Sequence, residues 1–207
     1  MVELKMKPFF KPIVDNRSSG SIATHLRRKR FSLFKELLRS IYQQKPLKIL
    51  DVGGSEQFWR MMQFSSTSPV EITILNLSQF KVTLPNFYSV AGDARNMEAF
   101  KDNEFDVAFS NSVIEHVGQL RDQRAMASEV RRVAQRYFVQ TPNKFFPIEP
   151  HFLFPGFQFL PETMRAWFLT HFDLGWYQKT NDFDAARKIV QQTRLLSRRE
   201  LVDLFPG

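Results

Sequence analysis

Two of the chain's four histidines stand beside residues that could recruit them for proton chemistry. His151 lies two residues after Glu149, inside a stretch crowded with aromatics and prolines, and His116 follows Glu115 just beyond an apolar run ending at Asn111. An imidazole ionises near pH 6.5 when unperturbed, which suits either one to take a proton from an oxygen acceptor. Packing in a core or bracing a loop would also account for them. Glu149, His151 and His116 could hold a divalent ion, but their irregular spacing predicts no metal site. A further chemical feature is Leu47-Lys-Ile-Leu-Asp51-Val-Gly53-Gly54-Ser55, an acid and two glycines closing an apolar run. Glycine lets backbone pass close to a ligand, though it also serves turns that bind nothing.

These residues need elements that bring them to one place, and the chain offers a repeating set. Leu47 to Val52 reads as a buried strand, and Glu71 to Leu77, Asn86 to Asp93, Phe105 to Asn111 and Arg136 to Asn143 follow as four more. Between them lie helical patterns, with Phe58, Trp59, Met61 and Met62 after the first strand and Gln119 to Arg136 after the fourth, whose apolar Leu120, Met126, Val130 and Val133 face inward. The cluster Ser65 to Pro69 should break the chain between the first helix and second strand. Before the first strand, a helix from Ser21 carries Phe31, Phe34, Leu37, Leu38 and Ile41 on one stripe and turns Arg28, Lys35 and Arg39 outward. Strands alternating with helices predict an α/β, doubly wound, mostly parallel sheet of Rossmann type, with ligands at the carboxyl ends of its strands. After the fifth strand, Glu162 to Phe172 and Asp182 to Leu196 read as helices, and Ser197 with Glu200 forms a capping box opening a short helix to Leu204. Residues 1–20 read as an N-terminal arm and 21–207 as one domain.

The glycine loop resembles the first motif of class I S-adenosylmethionine (SAM) dependent methyltransferases, written here Leu50-Asp51-Val52-Gly53-Gly54-Ser55. That family's usual glycines would fall at Gly53, Ser55 and Gln57, so only the first is kept; a dinucleotide pyrophosphate would tolerate this less well than SAM. Three more strand ends resemble the family's motifs in order: Asn76, Gly92-Asp93-Ala94, and Asn111 followed by Glu-His-Val, the last similar to small-molecule methyltransferases of the ubiquinone and menaquinone type. The resemblance covers roughly Leu47 to Asn143. It implies that Asp51, Gly53 and Gly54 lie at the methionine part of SAM and that Asn76, in place of the usual acid, meets the ribose. It further implies that Asp93 and Ala94 hold the adenine and that Asn111 borders the reacting methyl. His151 and His116 are then the candidate catalytic bases. The core 47–143 would bind the cofactor, and the loop and helices of 144–207 would face a small, apolar or aromatic acceptor, with Phe145, Phe146, Phe152, Phe154, Phe157 and Phe159 either filling the core or lining its pocket. A membrane surface could present such an acceptor.

Members of that family normally add two strands beyond the fifth, for which this sequence has no room. Another copy of the chain, or a partner, is therefore expected to cover the fifth strand's edge. An alternative follows from the same gap and from Ser55, Gln57 and Asn76: a SAM-fold binding subunit without turnover, completed by a partner chain. The formal charge of +8, with the block Arg27 to Arg30, would suit nucleic acid. The Pro-Pro-Tyr type tetrapeptide of base-methylating relatives is missing after the fourth strand, however, and Ser110-Asn-Ser-Val113 stands there instead, so nucleic acid is not the expected acceptor. The chain contains no cysteine, which removes thiolate chemistry. The sequence carries neither a signal-peptide pattern nor a long apolar run, so a cytoplasmic protein is expected.

Overall fold

A computed structural model describes residues 22–42, 46–64 and 70–206. The expected arm at 1–20 and the breaker cluster at 65–69 lie outside them. Five strands appear where apolar, β-branched runs predict them: β1 (Leu47–Val52), β2 (Val70–Asn76), β3 (Phe87–Ala91), β4 (Val107–Asn111) and β5 (Tyr137–Gln140). They form one parallel sheet in the order β3-β2-β1-β4-β5. Helices α1 (Ile22–Ile41), α2 (Glu56–Met61) and α3 (Leu120–Val133) complete the Rossmann-like frame. Beyond β5 come a small antiparallel hairpin, β6 (Ile148–Glu149) and β7 (Phe154–Pro155), and helices α4 (Glu162–His171), α5 (Phe183–Gln191) and α6 (Arg198–Leu204). Ser197 and Glu200 form the expected capping box at the start of α6.

The period of two along each strand sorts side chains to the two sheet faces. Leu47 and Ile49 of β1, Ile72 and Ile74 of β2, and Val107 and Phe109 of β4 pack with Phe31, Phe34 and Leu38 of α1 and Trp59 of α2. Leu50, Val52, Leu75 and Ala108 face the other way, onto Met126, Val130 and Val133 of α3 and onto Leu204 and Phe205. Both faces are covered, as a parallel sheet requires. The stripe on α1 is narrower than expected. Leu37 is 53% exposed, whereas Lys35, expected outside, is half-buried. Its ammonium lies over the Phe31 and Phe64 rings and donates to the Met62 carbonyl, the usual way a long lysine stem covers apolar surface while its charge stays solvated.

The chain's own last residues run beside β5. Lys144 donates its backbone N–H to the Leu196 carbonyl, Asn143 pairs with Leu196 as an isolated bridge, and the Tyr137 hydroxyl donates to the Pro206 carbonyl. The basic pair Arg131 and Arg132 is partly absorbed by the fold. Arg132 bridges Glu129 and Asp102 and donates to the carbonyls of Met97 and Phe100, so it ties α3 to the loop after β3.

The α1 register can be tested directly. Phe34 is 1% exposed and touches Trp59, Phe109 and Phe138, so Phe34→Ala should destabilise the protein by about 3–5 kcal/mol in denaturant unfolding. Leu37→Ala should stay within about 0.5 kcal/mol of the parent. Comparable losses for the two variants would contradict the packing of α1.

Candidate functional site

The carboxyl ends of β1, β2, β3 and β4 open into a cavity of about 460 Å³, a size typical of small-molecule sites. Its wall includes Gly53 after β1, Asn76 at the end of β2, Gly92, Asp93 and Ala94 after β3, and Ser112, Val113 and His116 after β4. The cavity sits where the strand order changes direction between β1 and β4, the place where open α/β sheets bind ligands. Four separate strand ends are thus brought to one site.

Two glycines make the first of those ends possible. Gly53 has φ +75°, and a Cβ there would fall 2.6 Å from Val113 Cγ1. A Cβ on Gly54 would lie 1.7 Å from Asp51 Oδ2, so the second glycine makes room for the acid rather than for a ligand. Asp51 itself shares the parity of Leu47 and Ile49. Its side chain therefore points beneath the loop toward α2, where the Trp59 indole N–H donates to Oδ2 at 2.6 Å, and is not part of the cavity wall. Burial pushes the Asp51 carboxyl up to about 7, with the Trp59 hydrogen bond working in the opposite direction. In this position Asp51 supports the loop from beneath. Asn111 shares the parity of Val107 and Phe109 and is likewise absent from the cavity wall, which begins at Ser112. Ser112 has φ +58°, an uncommon backbone state for a residue with a side chain, placed at the site itself.

Asn76 and Asp93 reach the cavity with their polar groups already engaged. Asn76 Nδ2 donates to the Gly54 carbonyl at 3.2 Å, and Oδ1 accepts from the Leu77 N–H at 2.8 Å. Asp93 accepts from the Arg95 N–H at 2.8 Å and from its guanidinium at 2.6 and 3.0 Å. Those bonds from Arg95 hold the Asp93 carboxyl below its ordinary value. A carboxylate has about four acceptor positions, and Arg95 meets both oxygens, so a ligand donor would share Asp93 with it. Sequence reasoning missed Arg95, whose neighbourhood of Asp93 two residues earlier was the available signal.

The two histidines meet at the cavity's edge. His116 Nε2 and His151 Nε2 are 3.2 Å apart with their rings at 88°. His151 belongs to a turn built around one carboxylate: Glu149, 2% exposed, accepts from the backbone N–H groups of His151 and Phe152 and pairs with His151 Nδ1 at 2.7 Å. Trp176 fastens the turn from outside, its N–H groups donating to the carbonyls of His151 and Pro150. Glu115, fully buried, accepts from Thr141 at 2.9 Å, and burial raises its pKa. Partial removal from water, then the nearby His151, lowers that of His116. One ligand atom from each of Glu115, His116 and His151 lies within 4.8 Å of the others, a convergence that spacing along the chain does not reveal.

Glu149, the partner of His151, also lines a cavity of about 240 Å³ together with Lys144, Gln158, Arg165 and Arg194 among others. It is polar, unlike the apolar pocket expected from the phenylalanines. Phe152 and Phe157 are instead buried with Ala166, Leu169 and Val190 in a separate core under α4 and α5, and Phe154 packs against it. Phe145, Phe146 and Phe159 lie at the surface. Six phenylalanines in eighteen residues thus divide between a small core and the exterior, because the hairpin needs a core of its own.

Residues 51–137 match the family model described as a methyltransferase domain. None of the curated proteins matches the chain. Among solved structures, a putative methyltransferase from an antibiotic biosynthesis pathway of Anabaena variabilis is 15% identical over 84% of this chain, with TM-score 0.50. Haemonchus contortus phosphoethanolamine N-methyltransferase 2 has been solved with S-adenosyl-L-methionine and with phosphomonomethylethanolamine and S-adenosylhomocysteine. It is 15% identical over 94% of this chain, with TM-score 0.51. The chain spans 59% of the first and 39% of the second. At such identities the likeness is one of fold, and the fold is that of class I methyltransferases. Among the described residues no helix is long and apolar enough to cross a membrane.

The buried acid gives a pH test. An unfolded Asp51 ionises near 3.8, whereas the folded residue keeps its proton to about 7. Between those values the folded state binds more protons than the unfolded one, so this residue makes stability fall as pH rises, by at most about 1.4 kcal/mol per unit. Asp51→Asn cannot ionise and should flatten that decline when unfolding is measured at pH 5 and pH 7. Equal slopes in parent and variant would contradict the buried, protonated carboxyl.

Proposed function

We propose that this chain, whose residues 51–137 match a methyltransferase-domain family model, binds S-adenosylmethionine in the 460 Å³ cavity and transfers the methyl group to a small acceptor at the histidine pair. The observation that carries this reading is the arrival of Gly53, Asn76, Asp93 with Ala94, and the turn after β4 at one cavity in the order that the cofactor's parts demand. The methionine portion would lie over Gly53, the ribose beside Asn76 and the adenine against Asp93 and Ala94. Val113 and His116 would border the reacting methyl.

A sulfonium methyl is already activated, so the protein's main contribution is alignment of donor and acceptor and exclusion of water, worth up to about 7–11 kcal/mol. Glu149 fixes the His151 ring from its Nδ1 side and leaves Nε2 turned toward His116. The pair would engage the acceptor's reacting group there, between the cofactor cavity lined by His116 and the polar cavity lined by Glu149. Lys144, Arg165 and Arg194 around that second cavity favour an acceptor with polar or anionic groups over a wholly apolar one. Nothing among the matches supports a subunit without turnover.

Two substitutions separate binding from transfer. Asp93→Ala should weaken SAM binding by about 1–3 kcal/mol, roughly 10- to 100-fold, in isothermal titration of the purified protein. His151→Ala should leave that affinity within about twofold while lowering methyl transfer by about 10²- to 10⁴-fold. Absence of SAM binding by the folded parent would end this reading, and unchanged turnover in His151→Ala would remove the histidine pair from it.

A further inference from the structure

We propose that Glu115, His116 and His151 form a binding site for one divalent transition-metal ion. The methyltransferase reading is needed only to place this site beside a cofactor, since ion binding requires neither cofactor nor acceptor. Three observations support it independently of one another.

The first is geometric. One carboxylate oxygen of Glu115 and one ring nitrogen of each histidine lie within 4.8 Å of one another, and the two Nε2 atoms are 3.2 Å apart. Ligand atoms about 2.0–2.1 Å from a tetrahedral ion stand roughly 3.3 Å from each other. The two nitrogens already have that separation, and the carboxylate oxygen lies within 4.8 Å of both.

The second is orientation of the rings from behind. His151 Nδ1 meets Glu149 Oε1 at 2.7 Å, and His116 Nδ1 faces Thr193 Oγ1 at 3.4 Å. A carboxylate on the outer nitrogen of an imidazole is the arrangement that turns the other nitrogen's lone pair toward a metal. Here the two inner nitrogens lie 3.2 Å apart.

The third is unbalanced charge. Glu115 and Glu149 are 0% and 2% exposed, and among the described residues neither forms an ion pair with a lysine or arginine. Thr141 occupies Glu115 Oε2, while Oε1 is buried with no hydrogen-bond partner. An unsatisfied buried acceptor is costly, and a cation among these groups would satisfy it. Two imidazoles and one carboxylate suit zinc, iron(II) or cobalt(II) rather than magnesium or calcium, which prefer oxygen. Three protein ligands leave a position open beside both cavities, where an oxygen of the acceptor would bind and lose its proton more readily.

The test uses the full chain, stripped with a chelator, dialysed and titrated with zinc by calorimetry and with cobalt(II) by visible absorption. One ion per chain is expected, with cobalt bands that zinc abolishes. His151→Gln and Glu115→Gln should each weaken uptake by about 10- to 100-fold, whereas His171→Gln, outside the cluster, should leave it unchanged. Melting curves of the metal-free variants establish that each is folded, and His151→Gln decides alone if Glu115→Gln is not. Lack of stoichiometric uptake by the parent would overturn the site, as would unchanged uptake in a His116→Gln, His151→Gln double variant. SAM titration of the metal-free parent keeps the two proposals apart, because failure to bind SAM would sink the methyltransferase reading and leave the ion site standing.

Discussion

The position of β1 in the middle of the sheet, with β2 on one side and β4 on the other, is the constraint on which the rest depends. The loop after β1 leads toward β2 and the loop after β4 toward β5, in opposite directions, so the two part at their carboxyl ends and open a crevice. Everything chemical in the molecule lies along that crevice or just beyond it. The parallel pairing of β1 with both neighbours fixes the height of each strand end, and so brings Gly53, Asn76 and Asp93 to one cavity although they lie far apart in sequence.

The crevice is supported from below by the bond between Asp51 and Trp59. A carboxyl at the end of a buried strand would be costly without a partner, and the indole N–H supplies one in a setting where Trp59 is itself completely enclosed by Phe31, Phe34, Phe64 and Phe109. The same acid dictates Gly54, which keeps the loop close enough for its carbonyl to receive Asn76. One polar pair inside an aromatic core thus sets the shape of the loop above it. The hairpin after β5 uses the same device, with Glu149 gathering two backbone N–H groups and an imidazole.

The sheet was legible because its strands are apolar and β-branched and its loops carry glycine, asparagine and aspartate at the turns. Asp93 and Asn76 could be placed at the site because each closes such a run. What pattern could not show was direction. Asp51 and Asn111 sit at strand ends too, yet the alternation that buries Leu47, Ile49, Val107 and Phe109 turns them away from the cavity wall. Leu37 misled for a related reason, since the stripe on α1 that meets the sheet is narrower than its apolar residues suggest. Contacts made by tertiary packing were out of reach: Glu115 and His151 are brought together by separate elements, and the hairpin's phenylalanines make a core with α4 and α5, helices that follow them in the chain.

The most direct examination of the account is a crystal structure of the protein with S-adenosylhomocysteine. Density should appear in the cavity at the ends of β1 to β4, with the adenine against Asp93 and Ala94, the ribose beside Asn76 and the sulfur turned toward Val113 and His116. Ligand bound elsewhere on the molecule, or bound there with its sulfur directed away from the histidines, would contradict it.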